Sequence, residues 1–343
     1  MYGGAETQIM KTFEYINKSG CNHYEVKLFD MWTDAIENYD IVHIFKPTAF
    51  PSESYLLSEY AKNKGVKVVV SPIYYFHYTP QSIQEKIVAS SKKNLITYRK
   101  YFFKNKIISY LDPYKSLERV LKNSDAILPN TQEELDLLTK VFNISHKKCH
   151  IIPNGVENEF KYGSPHLFKK KYGVDDFILF VGRIEKRKNV LRLINAFKRS
   201  NLDTSLVIIG KATDSDYYEL CKKSANQNII FLPPLPHDSE LLKSAYKAAK
   251  VIALPSDCET PGLVALEGGI SGSNIIITEI GGTKEYFGEH AWYVNPSNDE
   301  DILNALLEAY NTPKNNNLIQ HIEENFTWNK VAEMTTRIYN LIM

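Results

Sequence analysis

Six short runs of apolar, largely β-branched residues recur through the second half of this 343-residue chain: Phe177–Val181, Ser205–Ile209, Asn228–Leu232, Val251–Leu254, Asn274–Thr278 and Ala291–Val294. Their starts lie 17 to 28 residues apart, room for one strand, one turn and one helix each. The segments between them carry apolar residues at helical spacing; Leu191, Ile194 and Phe197 fall on one face of Val190–Arg199. A strand that is apolar along its whole length needs cover on both faces, and a helix after every strand supplies it. The pattern predicts a parallel sheet with helices on both sides.

The first half repeats the theme. Tyr24–Phe29, Ile41–Phe45, Val66–Val70, Ala126–Leu128 and His150–Ile152 read as strands, and Glu6–Lys18, Ser52–Lys64 and Thr131–Val141 as helices. Thr131 and Glu134 have the spacing of a capping box. Pro153-Asn154-Gly155 is a turn signal followed by a polar stretch to about Gly163, which marks a domain boundary. The expected organisation is an N-terminal Rossmann-like domain over 1–160, a second over 161–325, and a terminal helix within 326–343. Two domains also suit the length, at roughly 150 residues each. A doubly wound domain ordinarily opens with a strand feeding its first glycine turn, yet Gly3-Gly4 follow directly on Met1 and Tyr2. The expectation is therefore a truncated start or an unusually assembled first sheet.

Charge and cysteine usage narrow the function classes. Lys and Arg number 41 against 40 Asp and Glu, so no global charge argues for nucleic acid. The four cysteines, Cys21, Cys149, Cys221 and Cys258, form no close pair, and no signal-peptide pattern opens the chain. No apolar run approaches the roughly 20 residues that span a bilayer. These features predict a cytoplasmic chain with reduced thiols.

Two segments combine residues suited to anions with residues suited to hydroxyls. Glu259-Thr-Pro-Gly-Leu-Val-Ala-Leu-Glu267 follows the run ending Ala253-Leu254-Pro255. Pro261 and Gly262 suit a helix start, where free backbone N–H groups make an anion site and a glycine lets a phosphate approach. Glu259 before the helix and Glu267 inside it could accept hydrogen bonds from hydroxyls on either side. The plainer alternative is a strand–helix junction whose carboxylate complements the helix dipole. Val181-Gly182-Arg183-Ile-Glu-Lys-Arg-Lys188-Asn189 also follows a strand and opens a helix. Arg183 by its fork and Lys188 as a point charge can converge on a diphosphate, whereas the plainer reading is a solvated basic loop.

Together with Gly3-Gly4-Ala5-Glu6, Pro153-Asn154-Gly155-Val156-Glu157, Gly281-Gly282-Thr283-Lys-Glu285 and Phe326-Thr327-Trp328, in this order along nearly the whole chain, these motifs resemble the retaining glycosyltransferases of family 4. The resemblance implies the GT-B architecture: α/β, two Rossmann-like parallel-sheet domains facing a cleft, with the last helix crossing back to the first domain. It implies that Arg183 and Lys188 neutralise the departing diphosphate, that Glu267 holds the ribose hydroxyls and Glu259 the transferred sugar. Gly182 would belong to the donor-binding set, backbone N–H groups of Gly262, Leu263 and Val264 would bind the phosphates, and the Gly3-Gly4 loop would face them. The donor would be a UDP- or GDP-sugar, used without a metal or further cofactor, and the acceptor a glycan or lipid-linked molecule in surface-polysaccharide or glycolipid assembly. Retention would let the departing phosphate itself take the acceptor proton, with no carboxylate nucleophile. Glu157 stands where the family usually has Asp. His77, in Ser71-Pro-Ile-Tyr74-Tyr75-Phe76-His77, is the candidate for the sugar-contacting histidine the family places after a first-domain strand; the alternative is a histidine packed among aromatics.

Other features are weighed against simpler readings. Asp214-Ser-Asp216 has the spacing of a metal-binding pair but sits in a polar, turn-rich loop. His146, Cys149 and His150 have metal-like spacing without a fourth ligand nearby. Segment 81–115 carries eight basic residues against Glu85 and Asp112, interleaved with Tyr98, Tyr101, Phe102 and Phe103. It reads as a contact for anionic lipid at the inner face of a plasma membrane, or as a solvated helix whose aromatics face the core. The expected activity is retaining sugar transfer. The alternatives are a nucleotide-sugar epimerase of the same fold, a glycogen-synthase-like enzyme, for which 343 residues is short, and a non-catalytic remnant that binds nucleotide sugar without turnover.

Overall fold

A computed structural model describes residues 4–18, 24–74 and 113–343. Gly3, Cys21, His77 and residues 81–112 of the basic segment lie outside the described residues. The chain divides into two compact units, Ala5–Pro153 with Ala332–Met343, and Asn154–Val331, with which Gly4 is grouped.

In the N-terminal unit, helix α1 (Gly4–Lys18) precedes strand β1 (Ile41–Phe45), α2 (Pro51–Asn63), β2 (Lys67–Ser71), α3 (Pro113–Asn123), β3 (Ala126–Ile127) and α4 (Gln132–Phe142). The strands form a parallel sheet in the order β1-β2-β3, with Val42 opposite Val68 and Val70 opposite Ile127. Val68, Val70, Leu117, Val120, Leu121, Ile127, Leu138 and Phe142 make the core between sheet and helices.

Two expected strands do not join that sheet as ladders. Tyr24–Phe29 forms no ladder: Asn17 at the end of α1 takes both backbone groups of Val26, its amide donating to the carbonyl and its oxygen accepting from the N–H, each at 3.0 Å. A backbone satisfied by a side chain has no need of a sheet edge. His150–Ile152 runs beside β3 through a bridge and two hydrogen bonds, His150 N to Ile127 O and Ile152 N to Pro129 O, both 2.9 Å. Pro129 and Pro153 interrupt the donors on which a longer ladder depends. The capping box is half formed. Thr131 accepts from Glu134 N at 3.0 Å, while the Glu134 carboxylate accepts from Asn130 N and Tyr74 N, both at 2.7 Å, and so ties two loops to the start of α4.

The last helix, α13 (Trp328–Ile342), has its final residues in this unit. His43 of β1 joins them: its Nδ1 meets the Tyr339 hydroxyl at 2.7 Å, its Nε2 meets Ser71 Oγ at 2.9 Å, and its ring stacks on Phe45 at 4.0 Å. A neutral imidazole has one donor and one acceptor for these partners. Burial lowers the His43 pKa to about 3. An unfolded histidine near 6.5 binds a proton that the folded one refuses, so this contribution is present above about pH 6.5 and is lost as pH falls toward 3. The expected result is that stability drops from pH 7 to pH 5 in the wild type and drops less in His43→Gln; equal drops in thermal unfolding midpoint would contradict this role.

The C-terminal unit contains α5 (Pro165–Tyr172), β4 (Ile178–Val181), α6 (Val190–Ser200), β5 (Leu206–Ile209), α7 (Ser215–Ser224), β6 (Ile229–Leu232), α8 (Glu240–Ala248), β7 (Val251–Leu254), α9 (Leu263–Ile270), β8 (Asn274–Thr278), α10 (Thr283–Phe287), β9 (Ala291–Val294), α11 (Asp299–Asn311) and α12 (Asn317–Asn325). Its six strands are all parallel, in the order β6-β5-β4-β7-β8-β9. The residues of β4, β5 and β7 are at most 4% exposed, which explains their unbroken apolar character. Helix starts follow their caps: Asp214 for α7, Ser239 for α8 and Asn298 for α11 each accept a backbone N–H from the first turn. The fold is therefore α/β with two parallel-sheet units, and among the described residues no helix is long and apolar enough to cross a membrane.

Candidate functional site

Strand order places the site. The chain fills the sheet outward from β4 through β5 to β6, then returns to lay β7 on the other side of β4. The loops leaving β4 and β7 therefore diverge at a topological switch point, where open α/β sheets bind ligands beyond the carboxyl ends of their strands. The first loop is Gly182–Asn189 and the second Pro255–Gly262, the two motif segments of the sequence.

Several bonds lock the two loops together. Asn189 Nδ2 donates to Pro255 O at 2.9 Å and to Asp257 Oδ1 at 2.7 Å; Asp257 N donates to Arg187 O at 2.8 Å. Arg187 donates to Cys258 O at 3.3 Å. Lys188 pairs with Glu259 in a direct charged hydrogen bond, with side chains only 15% and 10% exposed. Burial works to raise the Glu259 carboxyl, but the Lys188 charge and hydrogen bond, with help from Arg187, hold it below the usual carboxylate range. Arg183 stands on the exposed rim, 3.7 Å from Glu185, which also holds Arg187 at 3.1 Å. The Glu185 carboxylate thus draws two guanidinium groups to the mouth of the loop.

Helix α9 opens at Gly262, which has φ +77°. Its first N–H groups, including those of Leu263 and Val264, have no intrahelical acceptor by geometry, and they carry the positive end of the helix dipole. Glu267 lies further along the helix, 5% exposed. Its Oε1 contacts His237 Nε2 at 2.8 Å and its Oε2 accepts from the buried Tyr246 hydroxyl. Burial, with Glu267 beside it, pushes the Tyr246 phenol well above its ordinary value, so it stays a donor.

The structure thus brings Lys188 and Glu259 together, places Gly182 and Arg183 on the facing loop, and sets Glu267 deeper on α9. Gly4 opens α1 in the N-terminal part of the chain. Sequence reasoning did not single out Arg187, Glu185, His237 or Tyr246. It singled out Gly281 only as part of a glycine turn. The reason for Gly281 is steric: a Cβ there would sit 2.2 Å from Glu259 O, and its φ is +91°. With Glu259 N donating to Ile280 O at 3.1 Å, this turn backs the Glu259 loop. Gly281→Ala is expected to cost more stability than Gly173→Ala, whose φ of +66° is unfavourable but whose Cβ meets nothing within 4 Å. Equal losses in thermal unfolding midpoint would remove the supporting role.

Asp214 is used as the cap of α7, accepting from Tyr217 N at 3.0 Å, and the Cys149 thiol meets Ser145 O at 3.3 Å. Among the described residues no three His, Cys, Asp or Glu side chains gather in a form that could hold a metal ion.

Known proteins share this organisation. Residues 167–325 match the family described as glycosyl transferases group 1, and residues 22–160 match glycosyltransferase family 4. A glycosyltransferase of Methanocaldococcus jannaschii is 27% identical over 255 residues, covering 69% of this chain and 63% of its own length. A D-inositol 3-phosphate glycosyltransferase of Pseudarthrobacter chlorophenolicus is 25% identical over 241 residues, covering 65% of this chain and 57% of its own. The match thus spans less than two thirds of either relative. Among solved structures, HepE of Anabaena in complex with UDP and glucose superposes with a TM-score of 0.72 at 12% identity, covering 99% of this chain and 96% of that one. That likeness is one of fold.

Proposed function

Because the chain belongs to the group 1, family 4 glycosyltransferases, we propose that its C-terminal unit binds a nucleoside-diphosphate sugar at the β4/β7 switch point and that the enzyme moves the sugar to an acceptor hydroxyl with retention at the anomeric carbon. The observation that carries this reading is the convergence there of Lys188, Glu259 and the α9 N-terminus, from loops separated by 71 residues in sequence. A partly buried cation and a helix terminus suit a diphosphate whose charge grows as the glycosyl bond breaks. Lys188 and Arg183 neutralise that charge, the N–H groups of Gly262, Leu263 and Val264 bind the phosphates, Glu259 accepts from the sugar and Glu267 from the ribose. HepE is a UDP-binding neighbour of the same fold, which makes UDP-sugars the first donors to test and GDP-sugars the second. The chemistry assigned to these residues uses fixed cations and backbone dipoles, so activity is expected to survive chelation. The acceptor in this reading is a glycan or a lipid-linked molecule, with surface-polysaccharide or glycolipid assembly as the setting.

The test is a panel of UDP- and GDP-hexoses incubated with enzyme and EDTA, scored for release of the nucleoside diphosphate. Release from one donor, dependent on Lys188, supports the reading. Binding without release would support a nucleotide-sugar-binding remnant, and conversion of one donor into its epimer would support the epimerase.

A further inference from the structure

We propose that His237 is a positioning residue for nucleotide recognition, holding the Glu267 carboxylate in register with the ribose; this deepens the reading of Glu267 given above and rests on it. His237 lies in the loop between β6 and α8, in neither motif segment, and its side chain is 36% exposed. Its Nε2 is 2.8 Å from Glu267 Oε1 and its Nδ1 is 3.4 Å from Glu157 Oε2, so the imidazole bridges two carboxylates from distant parts of the chain. Its ring packs edge-on to Phe160 at 5.3 Å, and Phe160 packs the same way on Tyr246 at 5.4 Å.

The geometry has a chemical consequence. A carboxylate only accepts hydrogen bonds, so the short Nε2 contact assigns a proton to Nε2. The two oxygens of Glu267 offer about four acceptor sites. Tyr246 and His237 take one on each oxygen, and one on each oxygen remains for ribose hydroxyls. With both partners in place the carboxylate plane is fixed. Without His237, Oε1 loses its donor and the group is free to turn about the Tyr246 bond. Glu157 faces the other ring nitrogen, with its Oε2 3.4 Å from Nδ1. This explains why a glutamate that is 5% exposed is flanked by a histidine at the surface rather than by another apolar side chain.

The experiment compares affinities of UDP and 2′-deoxy-UDP, measured calorimetrically in EDTA, for the wild type, His237→Ala, His237→Gln and Glu267→Ala, with GDP and 2′-deoxy-GDP as the second pair. The wild type is expected to prefer the ribonucleotide by about 10-fold or more, the range of a hydrogen bond to a charged group. In His237→Ala that preference falls several-fold while deoxynucleotide affinity stays within about twofold. In His237→Gln, whose amide places a donor near the Nε2 position, most of the preference returns. Glu267→Ala abolishes it. An unchanged preference in His237→Ala overturns the proposal, and so does an equal weakening of both nucleotides, which is the mark of a merely structural residue. A wild type indifferent to the 2′-hydroxyl, or one that binds neither nucleotide pair, overturns the ribose role of Glu267 itself and the proposal with it. Should the alanine variant fail to fold, His237→Leu, closer in size, carries the same comparison.

Discussion

Lys188→Ala is expected to lower turnover about 10²- to 10³-fold while the Michaelis constant for donor changes far less. Removing one preorganised group that meets developing charge costs that much, and the diphosphate carries more charge in the transition state than in the bound donor. The substitution has a second consequence. Lys188 and Glu259 are mutual partners at 15% and 10% exposure, so removing the lysine leaves a carboxylate buried without its counter-charge. Such half-broken pairs cost about 3–5 kcal/mol. The two effects separate in Lys188→Ala combined with Glu259→Ala. The double variant recovers most of the stability in thermal unfolding yet stays inactive. A change in the Michaelis constant alone would show that Lys188 binds the ground state and leaves the departing charge untouched.

Glu267→Ala is expected to weaken nucleotide binding about 10- to 150-fold, the equivalent of roughly 1.5–3 kcal/mol for hydrogen bonds to a charged group. Here too stability falls, since the Tyr246 hydroxyl loses its acceptor in a fully buried position and His237 loses its own. An unsatisfied buried donor costs about 1–3 kcal/mol. Tyr246→Phe in the Glu267→Ala background removes that orphan and restores stability without restoring affinity. Equal nucleotide affinity in wild type and Glu267→Ala, measured by calorimetry on folded protein, would contradict the ribose role.

The strands of the C-terminal unit were legible because each is a short, mostly apolar run, and those of β4, β5 and β7 are buried along their whole length, a signal that depends on local composition alone. Their observed ends fall within a residue of the expected ones. The N-terminal sheet was legible for β1, β2 and β3 and failed for Tyr24–Phe29, where a single side chain, Asn17, took the backbone groups of Val26. No periodicity reports such a bond. The site was legible as two motif segments, but their meeting was not. Lys188 reaches Glu259 because β4 and β7 are neighbours, and that follows from strand order. His237 and Tyr246 had no motif to mark them; their contacts with Glu267 arise because the β6–α8 connection and α8 pack beside α9. Gly281 was visible as a turn residue, while the reason only glycine fits, the Glu259 carbonyl 2.2 Å from its missing Cβ, is a tertiary fact. A histidine at position 77 and the basic segment 81–112 lie outside the described residues, so their expected roles rest on the sequence reading.

The central claim is that this chain cleaves a sugar–diphosphate bond with retention, using fixed cations at the β4/β7 switch point. Proton NMR of donor cleavage in EDTA tests it most directly. UDP-glucose is followed first and GDP-mannose second, with wild type and Lys188→Ala side by side. With water as the acceptor, the predicted result is release of the nucleoside diphosphate by wild type, with the sugar appearing first in the anomeric configuration it had in the donor, and a rate at least 100-fold lower in Lys188→Ala. A first-formed sugar of opposite configuration, or cleavage at the same rate in both proteins, would contradict it.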